Sequence, residues 1–125
     1  MGDPAVFTGH VTARALRVPD GRTRLAAYEV TFAAGARTHW HSHPHGQLLV
    51  VTAGVARVQL RGEAAVDVAT GNTAWIPPGV LHWHGAGPSG SMTHIAAQEA
   101  TSDGRTVTWG VPVSDATFDN HRPPR

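Results

Sequence analysis

Residues 41–47 of this chain read His-Ser-His-Pro-His-Gly-Gln, and residues 82–84 read His-Trp-His. His41 and His43 lie two positions apart. In an extended strand such residues point to the same face of the sheet, so both imidazoles can turn toward one ion. A lone His-x-His pair is weak evidence, but the surroundings of the second cluster, rich in turn-forming and apolar residues, are equally distinctive. Together the two stretches predict a metal site to which His82 adds a further imidazole.

The turn after the first histidine pair brings another ligand within reach. Pro44 and Gly46 bend the chain, and Gln47 then opens an apolar run over residues 48–52 that is typical of a returning strand. Its amide oxygen can therefore meet the same ion from the neighbouring strand. The predicted ligands are His41, His43, Gln47 and His82. Three imidazoles and one amide leave positions open on an octahedral ion, which is typical of a catalytic metal rather than a structural one.

The composition limits the chemistry that this chain can use. A chain of 125 residues is long enough for one domain with a single core, and we expect one domain over residues 1–125. There is no cysteine, which excludes disulfides, zinc–thiolate sites and thiol nucleophiles. All 10 basic residues are arginines, so Schiff-base chemistry on a lysine is excluded too. Proton transfer and metal binding fall to histidines and carboxylates.

The charge pattern and the N-terminal sequence bear on partners and location. The formal net charge is only +1, and the arginines are scattered rather than arranged in a stripe, which argues against a nucleic-acid surface. Residues 1–5 lack a basic segment followed by an apolar one, and no window approaches the length of apolar sequence that spans a membrane. We therefore expect a cytoplasmic protein whose partner is a small-molecule substrate, without nucleic acid or membrane.

Turn signals containing Gly or Pro recur at short intervals and separate short segments rich in Val, Leu, Ile and Thr. This pattern predicts an all-β sandwich or barrel. The predicted strands include residues 25–32, 47–52, 55–60, 64–68 and 93–98. Helix is expected only in the tail 114–125, where Ser114 can cap a single turn over residues 114–119. Residues 121–125 are expected to be a loose end.

Two spaced motifs carry a resemblance to a known family. One segment of this chain resembles the first cupin motif and reads Gly35-x5-His41-x-His43-x3-Gln47-x6-Gly54. A later segment resembles the second cupin motif and reads Gly71-x5-Pro77-x-Gly79-x2-His82. The two metal-binding motifs are residues 35–54 and 71–86, and the stretch from residue 35 to residue 86 that contains them is about two fifths of the chain. The resemblance implies an all-β, single-domain cupin: a double-stranded β-helix, or jelly-roll barrel, with a metal at its centre.

A longer match narrows the resemblance. Residues 46–54, 75–86 and 92–99 resemble a set of small bacterial manganese cupins that includes hydroxynitrile lyases and is often labelled carboxymuconolactone-decarboxylase-like. The relatives' ligands map onto His41, His43, Gln47 and His82. The resemblance implies bound Mn(II), pocket histidines at His84 and His94 with Gln98 beside the latter, and a homodimer or homotetramer. For the assembly, residues 5–7 with Val11 could add an edge strand to a neighbouring subunit.

This sequence departs from the general cupin pattern at two positions and from the narrower bacterial set at a third. Gln47 stands where a glutamate ligand is usual, and an amide leaves the full charge on the ion, which makes it a stronger Lewis acid but less tightly held. Ala86 replaces the customary asparagine. His45 adds an imidazole that we expect near the pocket mouth, which puts the relatives' substrate preference in doubt.

Strand parity supports the pocket assignments independently. His82 and His84 share one face, as do His94, Ala96 and Gln98, and the small Ala96 leaves space over the ion. The alternative for His84 is a packing imidazole, and for His94 a core histidine bonded to a carbonyl.

We expect His39 at the rim or surface, although it could orient a ligand. His10 and His121 carry no signal. Packing roles are expected for Trp40, Trp75 and Trp83, with Trp75 in the core.

These residues favour lyase or isomerase chemistry, because imidazoles are the only bases expected inside the barrel. The leading hypothesis is a hydroxynitrile-lyase-like enzyme in which the metal polarises a substrate oxygen, His84 or His94 moves the proton, and Gln98 helps to hold the leaving cyanide. The alternatives are a metal-dependent dioxygenase or decarboxylase, and a non-catalytic barrel that binds small molecules. The ligand set would also accept Fe(II), Ni(II), Co(II) or Zn(II).

Overall fold

A computed structural model describes residues 3–120, which form two antiparallel sheets and one short helix. The strands are β1 (Phe7–Thr8), β2 (Val11–Arg17), β3 (Leu25–Phe32), β4 (Arg37–Thr38), β5 (His41–Ser42), β6 (Gln47–Ala53), β7 (Val55–Leu60), β8 (Val66–Ala69), β9 (Thr73–Ile76), β10 (His82–Ala86), β11 (Met92–Glu99) and β12 (Thr108–Trp109). The helix α1 is Asp115–Asp119. The loose end predicted for residues 121–125, with His121, lies outside the described residues.

The sheets confirm the predicted jelly-roll barrel. One has five strands in the order β2-β3-β11-β6-β9. The other has seven strands, with β1-β4-β10-β5-β12 in a row and β7 pairing with both β10 and β8. Crossing from one sheet to the other at successive turns lets strands from distant parts of the chain lie side by side. This is how residues of the first histidine segment meet those of the second.

The predicted strands agree closely with the observed ones. One difference is β8, which begins at Val66 rather than at residue 64, because a turn in which the Glu63 amide donates to the Leu60 carbonyl takes up the preceding residues. The predicted helical turn is also present. Its N-cap is Ser114, whose hydroxyl oxygen accepts a hydrogen bond from the Thr117 amide at 3.1 Å.

The barrel interior changes from apolar to polar along its length. Phe32 and Met92 lie opposite each other on β3 and β11 and are almost completely buried. Farther along β11, the side chains that face the interior are His94, Ala96 and Gln98. The apolar side chains at the Phe32 end contribute to the hydrophobic core that stabilises the fold, and the polar residues lie farther along β11.

A second, smaller core holds the C-terminal helix against the outside of the seven-stranded sheet. Phe118 packs against Trp83, with ring centroids 5.6 Å apart. The guanidinium groups of Arg37 and Arg57 lie over its ring at 4.6 and 4.7 Å. The Arg57 side chain also donates to the Phe118 carbonyl at 3.0 Å. The helix thereby anchors the end of the segment after β11, of which Thr106, Val107 and Trp109 line the central cavity.

Three sequence expectations about packing are wrong. Trp75 is 58% exposed rather than in the core, because Ile76 next to it faces inward and alternation turns Trp75 outward. Its ring covers Gly46, where φ is +84° and a Cβ would lie 2.6 Å from the indole. His39 is buried rather than at the rim. His45 is exposed and does not line the central cavity.

Phe7 and Thr8 form β1, which pairs with β4 of the same chain at one end of the seven-stranded sheet. The homodimer or homotetramer stays a prediction, as does the cytoplasmic location. Within residues 3–120 no helix is long and apolar enough to cross a bilayer.

Candidate functional site

Three of the predicted ligands meet at one point of the barrel. His41 on β5 is the direct cross-strand partner of His82 on β10, and His43 follows β5. One ring nitrogen from each of the three histidines lies within 4.8 Å of the other two, and all three side chains are buried. Strand pairing thus produces a three-histidine site that suits a divalent metal ion.

Backbone carbonyls fix the orientation of these three rings. Each ring approaches a carbonyl oxygen through Nδ1: His41 that of His39 at 2.8 Å, His43 that of Thr106 at 2.6 Å, and His82 that of Val80 at 2.9 Å. Because a carbonyl only accepts, each Nδ1 carries the proton and donates, which leaves the Nε2 lone pair free for a metal. His39 thus orients the predicted ligand His41 through its backbone.

Gln47 joins the three histidines through its side-chain amide. Its Oε1 lies 2.9 Å from Nε2 of His82, and its Nε2 donates to Oε1 of Gln98 at 3.1 Å. Burial lowers the pKa of His82 to about 4, so at neutral pH the ring has one proton, which Nδ1 uses. The lone pair on Nε2 of His82 therefore faces a lone pair on Oε1 of Gln47.

A divalent ion bound to both atoms would resolve that contact. Gln47 Oε1 and the unprotonated His82 Nε2, 2.9 Å apart, are both atoms that would bind a divalent ion. His43 Nε2 is also buried without a hydrogen-bond partner among residues 3–120. The donor set therefore fits a divalent metal.

A second pair of histidines lies beside the three-histidine site. Nε2 of His94 and Nδ1 of His84 are 2.8 Å apart, so one of the two donates a shared proton to the other. The outer nitrogens, Nε2 of His84 and Nδ1 of His94, are buried and have no partner in the described part of the chain. The His84 ring centroid is 5.2 Å from that of His41. This pair, called the dyad below, lies next to the three-histidine site.

A cavity of about 270 Å³ opens onto both groups. Its polar wall is formed by His41, His43, Gln47, Gln98 and the dyad, and its apolar wall includes Phe7, Phe32, Val107 and Trp109. No aspartate or glutamate among residues 3–120 lines it, in agreement with the expectation that imidazoles are the only internal bases. The volume is small for a ligand site, so the cavity suits a small molecule.

Sequence reasoning missed several residues of this cavity. Tyr28 has the same strand parity as Val30 and Phe32, so alternation along β3 could have placed it there. Thr106 lies on the irregular path after β11, and Trp109 lies in the two-residue strand β12, so there is too little periodic pattern to reveal either. Trp109 packs on His41 with ring centroids 4.8 Å apart. This segment is therefore part of the site.

We expect the metal-free protein to lose stability as the pH falls from about 6.5 to about 4. Burial lowers the pKa of His82 and of His94 to about 4, from 6.5 in an unfolded chain. Between these two pH values the unfolded state binds more protons than the folded state. The free energy of unfolding therefore decreases as the pH decreases, by about 3 kcal/mol for each of these two groups. Urea unfolding of metal-free protein at several pH values measures this.

A metal-loaded sample should keep its stability to lower pH, because an ion competes with protons for the same nitrogens. The matched control is His45→Ala, which removes an exposed imidazole and should leave the pH profile unchanged. A free energy of unfolding that is constant between pH 7 and pH 4.5 would contradict the expected neutrality of these buried rings.

A family model and a named relative each match more than half of this chain. A family model described as a cupin domain, Cupin_2, matches residues 28–95. A protein named (R)-mandelonitrile lyase from Granulicella tundricola is 44% identical over 112 residues, covering 90% of this chain and 85% of the relative.

Solved structures agree with that match. The crystal structure of a cupin-like protein from Thermotoga maritima is 38% identical, with a TM-score of 0.87 over 94% of this chain and 88% of the other. A cupin 2 conserved barrel domain protein from Rhodopseudomonas palustris is similar in fold alone, at 22% identity and a TM-score of 0.69 over 92% and 74% of the two chains.

Proposed function

This chain belongs to the cupin family, and from that premise we propose that it is a metal-dependent lyase that reversibly cleaves cyanohydrins to an aldehyde and hydrogen cyanide. The observation that carries the proposal is the dyad of His84 and His94, which faces the same cavity as the three-histidine site. The 44% identity to a protein named (R)-mandelonitrile lyase supports the choice of substrate class.

In this proposal the metal is held by His41, His43, Gln47 and His82, and Mn(II) is the ion we expect. A bound divalent ion would supply Lewis-acid polarisation of a substrate oxygen. Gln98 acts on this site through Gln47: by accepting the amide proton of Gln47 it turns the Gln47 oxygen toward the histidines.

The dyad moves the proton. His84 Nε2, which is buried without a hydrogen-bond partner among the described residues, takes the hydroxyl proton of the cyanohydrin. His84 then passes its Nδ1 proton to His94 Nε2 along the 2.8 Å contact, and His94 releases a proton from Nδ1. After these transfers both rings of the dyad are in their other tautomer. Proton exchange with water restores the original tautomers once the products have left.

The reaction balances without any other reactant. The bond between the carbinol carbon and the nitrile carbon breaks, and its electron pair leaves with cyanide. The carbinol oxygen becomes the carbonyl oxygen of the aldehyde. Cyanide takes the proton that the dyad releases, so both products are neutral. The organic group of the substrate lies against the apolar wall around Phe32 and Trp109.

We expect purified protein to contain manganese and the manganese-loaded form to release benzaldehyde and cyanide from mandelonitrile. The measurement is elemental analysis followed by the absorbance of benzaldehyde, with metal-free protein as the blank. A Gln47→Glu variant should bind the ion more tightly and turn over more slowly, because the carboxylate neutralises part of the charge that polarises the substrate. Bound iron with oxygen uptake and no cleavage would favour a dioxygenase. Saturable binding without conversion would indicate a binding barrel.

A further inference from the structure

Tyr28 presents a phenol to the cavity from β3. In the register of β3 and β11, Tyr28 lies directly opposite Ala96, and Ala96 stands between His94 and Gln98 on the inward face. Directly opposed side chains are about 5 Å apart at Cβ, and diagonal neighbours about 7–8 Å, which a tyrosine can reach. Tyr28 and both polar residues of β11 therefore surround the space over one methyl group.

The Tyr28 hydroxyl has no hydrogen-bond partner among residues 3–120, although the side chain is half-buried and lines the cavity. The hydroxyl of a tyrosine in such a place usually finds a partner. Gln98 adds a second available donor, because its Oε1 accepts from Gln47 and its amide N–H groups remain. Two donors thus face the space over Ala96.

We infer that this space is the subsite for the leaving cyanide, and that Tyr28 is the residue that donates a hydrogen bond to it. The inference rests on the proposed lyase function. A small linear anion suits the place, since an alanine methyl forms its floor, hydrogen-bond donors form its sides and no carboxylate among the described residues lines the cavity. His94, the residue that returns the proton, borders the same space.

Tyr28→Phe removes the hydroxyl and keeps the ring, so it tests the inference directly. In the manganese-loaded enzyme we expect the inhibition constant of cyanide in the mandelonitrile assay to rise about 10- to 100-fold, while that of benzaldehyde changes less than about twofold. Metal content should be unchanged. Ala96→Val, which fills the space, should weaken cyanide inhibition in the same way. Unchanged cyanide inhibition, or equal weakening for both products, would overturn the inference.

The chain contains a single tyrosine, which provides a readout that does not depend on turnover. With the ring carbon next to the hydroxyl labelled by ¹³C, the zinc-loaded protein can be titrated with azide, a linear anion like cyanide. A saturable shift of this resonance in wild type, lost in Ala96→Val, supports the subsite even if mandelonitrile is not cleaved and the lyase proposal fails. No shift at saturating azide overturns it.

Discussion

His82→Ala is expected to abolish lyase activity and to lower the affinity for the metal by more than about 100-fold. His82 is completely buried, lies opposite His41 across β10 and β5, and approaches Gln47 at 2.9 Å, so its removal takes one of the four predicted ligands from the site. Even residues that only orient metal ligands change affinity by about 10- to 100-fold, and losing a ligand should cost more. Competition with a chromophoric chelator measures the affinity.

The control for this variant is His10→Ala, which removes an exposed imidazole that does not line the cavity and should leave metal content and activity as in wild type. Circular dichroism should show that His82→Ala still folds. A His82→Ala protein that retains one equivalent of tightly bound metal would contradict the proposed ligand set.

His94→Ala is expected to keep its metal and to lose turnover by about 10²- to 10⁴-fold, the usual contribution of a positioned acid or base. His94 is completely buried and contacts His84 rather than the three-histidine site, so its loss removes the acceptor of the dyad proton and leaves the ligands in place. The measurements are elemental analysis and the rate of mandelonitrile cleavage at saturating substrate.

Added imidazole should restore part of the rate of His94→Ala, because a small base can occupy the space left by the ring. His45→Ala, at an exposed position, serves as the matched histidine control. Loss of metal from His94→Ala would move His94 into the ligand set and disprove its assignment to proton transfer.

The barrel and its histidine clusters could be predicted because short strands carry simple rules. Alternation placed His41 and His43 on one face, and the spaced motifs indicated which distant strand would supply His82. Alternation alone does not say which face is inside, and for this reason Trp75 was expected in the core although it lies on the outer surface. Knowing that Gln47 pairs with Ile76 would have corrected it.

The carbonyl that orients His43 could not be predicted at all. It belongs to Thr106, whose position depends on an irregular path between β11 and α1 and on contacts with strands from earlier in the chain. Neither hydrophobic periodicity nor residue type reveals such a path, since the interaction uses a backbone oxygen that every residue has. His39 was misplaced for a similar reason: its burial follows from tertiary packing around β4 and β5 rather than from local pattern.

The hydrogen bond between Thr106 and His43 also affects when, during synthesis of the chain, the predicted metal site becomes complete. The ribosome makes all three histidines of the metal site before it makes Thr106, and Phe118, which packs between two arginines, comes later still. A nascent chain thus has its ligands before it has the groups that aim and anchor them. Capture of the ion would then be a late event, in which a nearly finished barrel rather than a growing chain selects the metal.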